Sequence, residues 1–134
     1  MKNKNYEAWV KVYEDFYQTP RHPEHKYGIY YHVAFWSLGP HLAEGCDPRK
    51  MEYCYRDAKR FNSLEYSILN VSNIRPIHVS ISLNAQLLRS PDTFNADSAI
   101  TAFAQSIFGE HGQEISKLYL QYYECFADFG KKLI

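Results

Sequence analysis

The sequence lacks the features that mark several large classes of protein. No apolar run approaches the roughly 18 residues needed to span a bilayer. Its 15 basic and 15 acidic residues give a formal net charge of +0, so it carries no electrostatic footprint for nucleic acid or an anionic membrane. It also contains no nucleotide-binding glycine loop. We therefore expect neither nucleic acid nor a membrane among its partners.

The cysteines and histidines show no convincing metal-binding pattern. Cys46, Cys54 and Cys125 are odd in number and form no C-x-x-C pair, which argues against both a disulfide framework and a zinc knuckle. His22 and His25 form an H-x-x-H pair close to two prolines, but the sequence shows no obvious third ligand. We therefore interpret that segment as a solvated loop and expect no metal and no cofactor.

The N-terminal residues carry no apolar signal segment. The first five residues are basic and lead into Tyr6 and Trp9. With unpaired cysteines, the default expectation is a reducing, cytoplasmic compartment. Secretion stays open if further sequence precedes this chain.

Aromatic residues are abundant: 12 Tyr, 8 Phe and 2 Trp. Tyrosine combines a flat apolar body with a polar tip, which suits sugar sites as well as ordinary cores and interfaces. Two stretches rich in aromatic and β-branched residues, 27–36 and 64–71, predict short strands. Asp47 as N-cap and Pro48 as first helical residue predict a helix between them. Strand–helix–strand with this spacing indicates a parallel pair.

Polar residues stand near the carboxyl ends of both predicted strands. Tyr31 and His32 stand near the end of the first strand, and Asn70 at the end of the second. In open α/β sheets and in barrels, ligands bind at that edge. The alternative for His32 is a buried, satisfied histidine. The alternative for Asn70 is a side chain that stabilises a turn.

The rest of the chain predicts helices. An apolar stripe over 5–18 precedes the first strand, and Pro76 begins a helix rather than an alternating strand. Two further stripes end at Gly109 and Gly130. The predicted buried positions of these last three helices are Ile77, Ile81, Asn84, Ala85 and Leu88; Ala99, Ile100, Phe103, Ala104, Ile107 and Phe108; and Ile115, Leu118, Tyr119, Tyr122, Phe126 and Phe129.

The chain therefore divides into three parts: an N-terminal helix and linker over 1–26, a β-α-β segment over 27–76, and a helical segment over 77–134. Two parallel strands do not make an independently stable sheet, because parallel sheets are normally buried on both faces and contain more strands. Either the sheet is completed by further residues or by another chain, including a second copy, or the helices cover a very small two-stranded core. We expect completion by further residues.

The order of motifs resembles glycoside hydrolase family 115. The family carries a Tyr-Tyr-His strand end, as at Tyr30 to His32, and later an Asn-Val-Gly-Asp-Ile/Leu-Lys-Pro-x-Glu segment, as at 70–78. A Phe-Gly like that at 108–109 follows. The resemblance spans roughly Tyr27 to Phe129, and the first 26 residues show no counterpart.

The resemblance implies an α/β fold, part of a TIM-like barrel followed by a helical part. It also implies an α-glucuronidase-type enzyme that removes glucuronic acid, or its 4-O-methyl form, from xylan side chains. Tyr31, His32 and Asn70 would then contact a uronic acid-bearing oligosaccharide. Tyr30 is not included among these contacts, because it is adjacent to Tyr31 and adjacent strand residues face opposite ways.

The sequence departs from the family pattern at acidic positions. Ser72 and Asn73 stand where the family has Gly-Asp, and His78 stands where it has Glu. Glycoside hydrolysis usually needs two carboxyl groups, but Glu44 reads as a solvated loop acid and Glu65 lies at the wrong end of its strand. The catalytic residues are therefore not identified, and this chain alone is predicted to be inactive. The alternative function is a non-catalytic carbohydrate-binding or structural interaction module.

Overall fold

The computed structural model describes residues 19–34 and 42–132. Within these ranges the chain forms two strands, four α-helices and two 3₁₀ turns. In chain order these are β1 (Ile29–His32), α1 (Pro48–Arg60), β2 (Ser67–Asn70), a 3₁₀ turn (Arg75–Ile77), α2 (His78–Arg89), α3 (Ala96–Phe108), a second 3₁₀ turn (Gly109–His111) and α4 (Gly112–Lys132). The N-terminal helix predicted over 5–18 lies outside the described residues.

The two strands pair in parallel, as the strand–helix–strand pattern predicts. Tyr30 lies opposite Ile68, and His32 lies opposite Asn70 at the carboxyl edge. A mixed α/β arrangement with a parallel pair and a helical C-terminal part is therefore confirmed. Only two strands are present among the described residues, so the TIM-like barrel stays a prediction.

Helix α1 begins as its sequence predicts. The Asp47 side chain accepts a hydrogen bond from the Arg49 backbone N–H at 2.9 Å, and Pro48 follows the cap. Met51 and Tyr55 are buried on the side of the helix that faces the core. This face covers one side of the sheet, where the Tyr55 hydroxyl lies 2.7 Å from Ser67 Oγ.

Helix α2 is confirmed as a helix, and its predicted buried face is partly right, because Ile77 and Asn84 are buried. Val79, Leu83 and Leu87 are fully buried, whereas Ala85 and Leu88 are exposed. The two sets are neighbouring stripes with the same spacing. Packing against α1 and α3, rather than periodicity, selects between them.

Helices α3 and α4 pack against each other through a close approach at their connection. A Cβ atom at Gly112 would lie 2.4 Å from the Gln105 Cα, so only glycine fits there. Gly109 ends α3 with φ 55°, as predicted. The predicted end of α4 at Gly130 is wrong, because the helix continues to Lys132.

The predicted buried stripes of these two helices are only partly right. Ala99, Ile100, Phe103 and Ala104 are buried, but Ile107 and Leu118 are both exposed. Ser116 and Tyr123 provide the buried positions of α4 instead. The close contact at the start of α4 fixes its rotation, which periodicity cannot reveal.

The core joins the inner face of the sheet to all four helices. Its buried members are Val33, Ala34, Met51, Tyr55, Ile77, Val79, Leu83, Leu87, Phe94, Ala96, Ala99, Ile100, Phe103 and Tyr123. Among the described residues, no helix is both long and apolar enough to cross a membrane.

Candidate functional site at the carboxyl edge of the strands

His32 and Asn70 meet where the two strands end. Asn70 Nδ2 lies 3.0 Å from His32 Nδ1. The Tyr30 ring stands edge-on to the His32 imidazole, with ring centroids 4.6 Å apart. Because His32 is exposed, the alternative of a buried histidine is wrong. The three side chains form one polar and aromatic surface.

Asn70 also organises the turn that follows β2. Its Oδ1 accepts a hydrogen bond from the Ser72 backbone N–H at 3.4 Å. Its backbone carbonyl accepts from the N–H groups of Val33 and Ala34, at 3.1 and 3.3 Å. Asn70 therefore stabilises the turn, as the alternative interpretation expects, and its side chain also contacts His32. Asn70 therefore fixes the first residues after β1 and the first residues after β2.

Tyr31 does not share this surface. Its hydroxyl lies 3.5 Å from Cys46 Sγ, and its ring packs edge-on against Tyr55 of α1 at 5.4 Å. Burial raises the pKa of the Tyr31 hydroxyl well above its ordinary value. The structure thus places Tyr30, and not Tyr31, beside His32. Strand alternation is the signal that finds Tyr30, since it stands two residues before His32.

The site continues into an open, largely apolar face of the sheet. Tyr30, Ile68 and Tyr66 are 57%, 54% and 52% exposed. A Cβ at Gly28 would lie 2.6 Å from the Tyr66 ring, so the glycine makes room for that ring. Parallel sheets normally bury both faces. This face has the composition of a surface that a further element or ligand covers.

The segment after β2 borders the site. Residues 72–76 and Leu42 line a shallow depression. Ser72 adopts φ 53°, and its buried hydroxyl has no hydrogen-bond partner among the described residues. Asn73 and His78 are both exposed. The two positions where the family pattern carries acids therefore face solvent here without a carboxyl group.

The interpretation of Glu44 as a solvated loop acid is wrong. Its side chain is buried and accepts hydrogen bonds from the backbone N–H groups of Val79 and Ser80, at 2.7 and 3.3 Å. Desolvation raises the pKa of the Glu44 carboxyl, although the hydrogen bonds from Ser80 and Val79 oppose this shift. Glu65 lies at the amino edge, as expected, where its N–H donates to the Tyr27 carbonyl.

Several other carboxylates serve the fold. Asp47 caps α1, and Asp57 pairs with Arg60 at 2.7 Å. Glu52 accepts from the Ala96 N–H at 2.8 Å and pairs with Arg56 at 2.9 Å. These acids are engaged in capping and ion pairs within the fold, so they do not supply an evident acid–base pair.

Two basic residues of α1 contact the chain beyond the helix. Arg56 donates to the Phe94 carbonyl at 2.6 Å, and Lys59 pairs with Asp92. These contacts fasten α1 to the connection between α2 and α3. The basic residues therefore stabilise the helical packing.

The segment that carries His22 and His25 forms a loop, as the sequence indicates. Both histidines are exposed, and their rings stack with centroids 4.4 Å apart. Across the described ranges, no group of three or more His, Cys, Asp or Glu side chains could hold a metal ion.

Comparison with known proteins assigns the chain to a class of enzymes that hydrolyse glycosidic bonds. The family described as glycosyl hydrolase family 115 matches residues 7–131, and the chain belongs to that family. The match includes most of the N-terminal segment, so the expectation that the first 26 residues have no counterpart is wrong. No curated protein and no solved structure matches the chain.

Proposed function

We propose that this chain forms one wall of a binding site for a uronic acid-bearing oligosaccharide, in an α-glucuronidase-type hydrolase acting on glucuronic acid side chains of xylan. The observation that carries the proposal is the exposed His32–Asn70 pair at the carboxyl edge, with Tyr30 beside it. Family membership supports the glycoside-hydrolase class.

The side chains of this surface suit a sugar acid. When the Asn70 amide donates to His32 Nδ1, the neutral imidazole carries its proton on Nε2 and can donate to a sugar oxygen. A protonated His32 would also attract the uronate carboxylate. The exposed ring of Tyr30 offers an apolar face against which a sugar ring can stack.

We also propose that the wall is insufficient for hydrolysis by itself. Catalysis usually needs a carboxylic acid and a carboxylate on opposite sides of the bond, whereas the site positions 73 and 78 carry Asn and His. The open face beside Tyr30 and Ile68 suits coverage by further barrel strands. Without them, the second candidate function, a non-catalytic carbohydrate-binding module, fits the same residues.

The test is an assay of the 134-residue chain on glucuronoxylan oligosaccharides. We expect sugar-dependent NMR shifts at the His32 imidazole and no release of glucuronic acid. Release of glucuronic acid over multiple turnovers would refute the proposal that this chain is insufficient for hydrolysis by itself. Absence of any shift at millimolar sugar would refute the binding site itself.

Two substitutions and a matched control locate the binding surface. His32→Ala and Asn70→Ala should each weaken binding about tenfold, by removing one charge-assisted or neutral hydrogen bond. His111→Ala removes an exposed histidine from the turn before α4 and should leave binding unchanged. Equal affinities for all three variants would show that the sugar binds elsewhere.

A further inference from the structure

We infer that Glu44 is a positioning residue of the proposed sugar site, because it fastens the segment before α1 to the first turn of α2. The segment that follows Asn70 would then be held at both of its ends. The effect on sugar binding rests on the proposed function; the fastening itself does not.

The contact is a helix cap supplied by a distant residue. Glu44 Oε1 lies 2.7 Å from the Val79 N–H nitrogen, and Oε2 lies 2.5 Å from Ser80 Oγ. Ile77, which occupies the cap position of α2, makes no side-chain capping bond. The first N–H groups of a helix have no partner within it. Glu44 satisfies two of them from 35 and 36 residues away.

The segment after β2 is therefore tied at both ends. At its start, the Asn70 carbonyl accepts from the N–H groups of Val33 and Ala34. At its far end, Glu44 accepts from the N–H groups of Val79 and Ser80. Loosening the far tie would leave this segment held only at Asn70.

The burial of Glu44 indicates that the tie is specific. Glu44 is 8% exposed. Burial raises the pKa values of Tyr119, Tyr122 and Tyr123 of α4, and the charge of Glu44 raises them further. Burying a carboxylate costs free energy that an exposed Ser or Asp at the cap position would avoid. The contact joins the segment before α1 to α2, which a local cap would not do.

The experiment compares Glu44→Gln with Glu110→Gln, an exposed glutamate in the turn before α4. Glutamine keeps one acceptor oxygen and loses the other. We expect hydrogen exchange of the Ser80 amide to accelerate about tenfold in Glu44→Gln. We also expect the Asn70 side-chain amide and the His32 imidazole to change their NMR shifts. Glu110→Gln should change none of these signals.

Faster Ser80 exchange with unchanged Asn70 and His32 signals would overturn the inference, because Glu44 would then be only a helix cap. If Glu44→Gln does not fold, Ser80→Ala removes one of the hydrogen bonds and should move the same site signals by less. Unmoved signals in folded Ser80→Ala would overturn the inference equally.

A sugar titration tests the functional half separately. Glu44→Gln should bind glucuronoxylan oligosaccharides about threefold to tenfold more weakly, and equal affinity despite shifted site signals would overturn the positioning role. A wild-type chain that binds no sugar would contradict the proposed function alone, since the site signals are measured without sugar.

Discussion

Replacement of Ser72 by glycine should stabilise this protein. Ser72 adopts φ 53°, a conformation that L-residues with a side chain rarely adopt. Its hydroxyl is buried and has no partner among the described residues. The family pattern carries glycine at this position. Glycine would remove both the strained side chain and the unpaired hydroxyl.

The magnitude of the change follows from two gains in stability and one cost. The left-handed conformation costs a non-glycine residue about 1–2 kcal/mol, and a buried, unpaired hydroxyl costs about 1–3 kcal/mol. Against these gains, glycine costs about 0.5–1 kcal/mol, because it gives the unfolded chain greater entropy. We expect Ser72→Gly to raise the free energy of unfolding by about 1–4 kcal/mol, and Tm by several degrees.

Urea unfolding of three variants separates the contributions. Ser72→Ala removes the hydroxyl but keeps the strained backbone, so it should gain less than Ser72→Gly. Asn62→Gly is the matched control: Asn62 also adopts φ 53° but is exposed, and asparagine tolerates this conformation. A Ser72→Gly protein less stable than the wild type would refute the reasoning. Identical gains for both Ser72 variants would attribute the whole effect to the hydroxyl.

Two further predictions concern packing and thiol reactivity. Gly112→Ala should lower the free energy of unfolding by about 1–3 kcal/mol, because its Cβ would overlap the Gln105 backbone. The control is Gly109→Ala, which meets nothing within 4 Å but has φ 55° and should cost only about 1 kcal/mol. If urea unfolding shows a smaller loss of stability for Gly112→Ala than for Gly109→Ala, the close approach at Gly112 is contradicted. Burial raises the pKa of the Cys46 thiol to about 11, so iodoacetamide at pH 8 should alkylate it on the order of a hundredfold more slowly than the exposed Cys125. Equal rates by mass spectrometry would show that Cys46 is accessible and not desolvated.

Local signals in the sequence predict much of the fold. Asp47 with Pro48 marks the start of α1, Gly109 marks the end of α3, and the connection between the two strands indicates their parallel pairing. Each of these depends on nearby residues alone. The buried faces of α2 and α4 are different, because two neighbouring apolar stripes fit the same helix. Only contacts with distant elements, such as Gly112 against Gln105, choose between them.

The candidate site was predictable where strand geometry alone decides. Parallel pairing brings His32 and Asn70 to one edge, and strand alternation then assigns Tyr30 to the same face and Tyr31 to the other. Glu44 shows what the sequence cannot indicate. A glutamate in a long loop has the composition of solvent-exposed chain, and its capping of α2 depends on a contact 35 residues away.

The position of Glu44 also explains how α2 tolerates the loss of a family acid. In the family pattern a glutamate stands at position 78, which is the first residue of α2. A negative charge there stabilises the helix N-terminus, and here Glu44 supplies a carboxyl group at the same place from another loop. His78 is exposed instead, with Nδ1 3.1 Å from the Arg75 carbonyl oxygen, and Asn73 is exposed as well. Their departures from the pattern therefore remove carboxylates from the surface beside the site and leave the helix cap intact. Under the proposed function, a surface changed in this way would keep its means of binding a sugar while losing groups that hydrolysis would use, and this is the reason to test binding and turnover as separate properties.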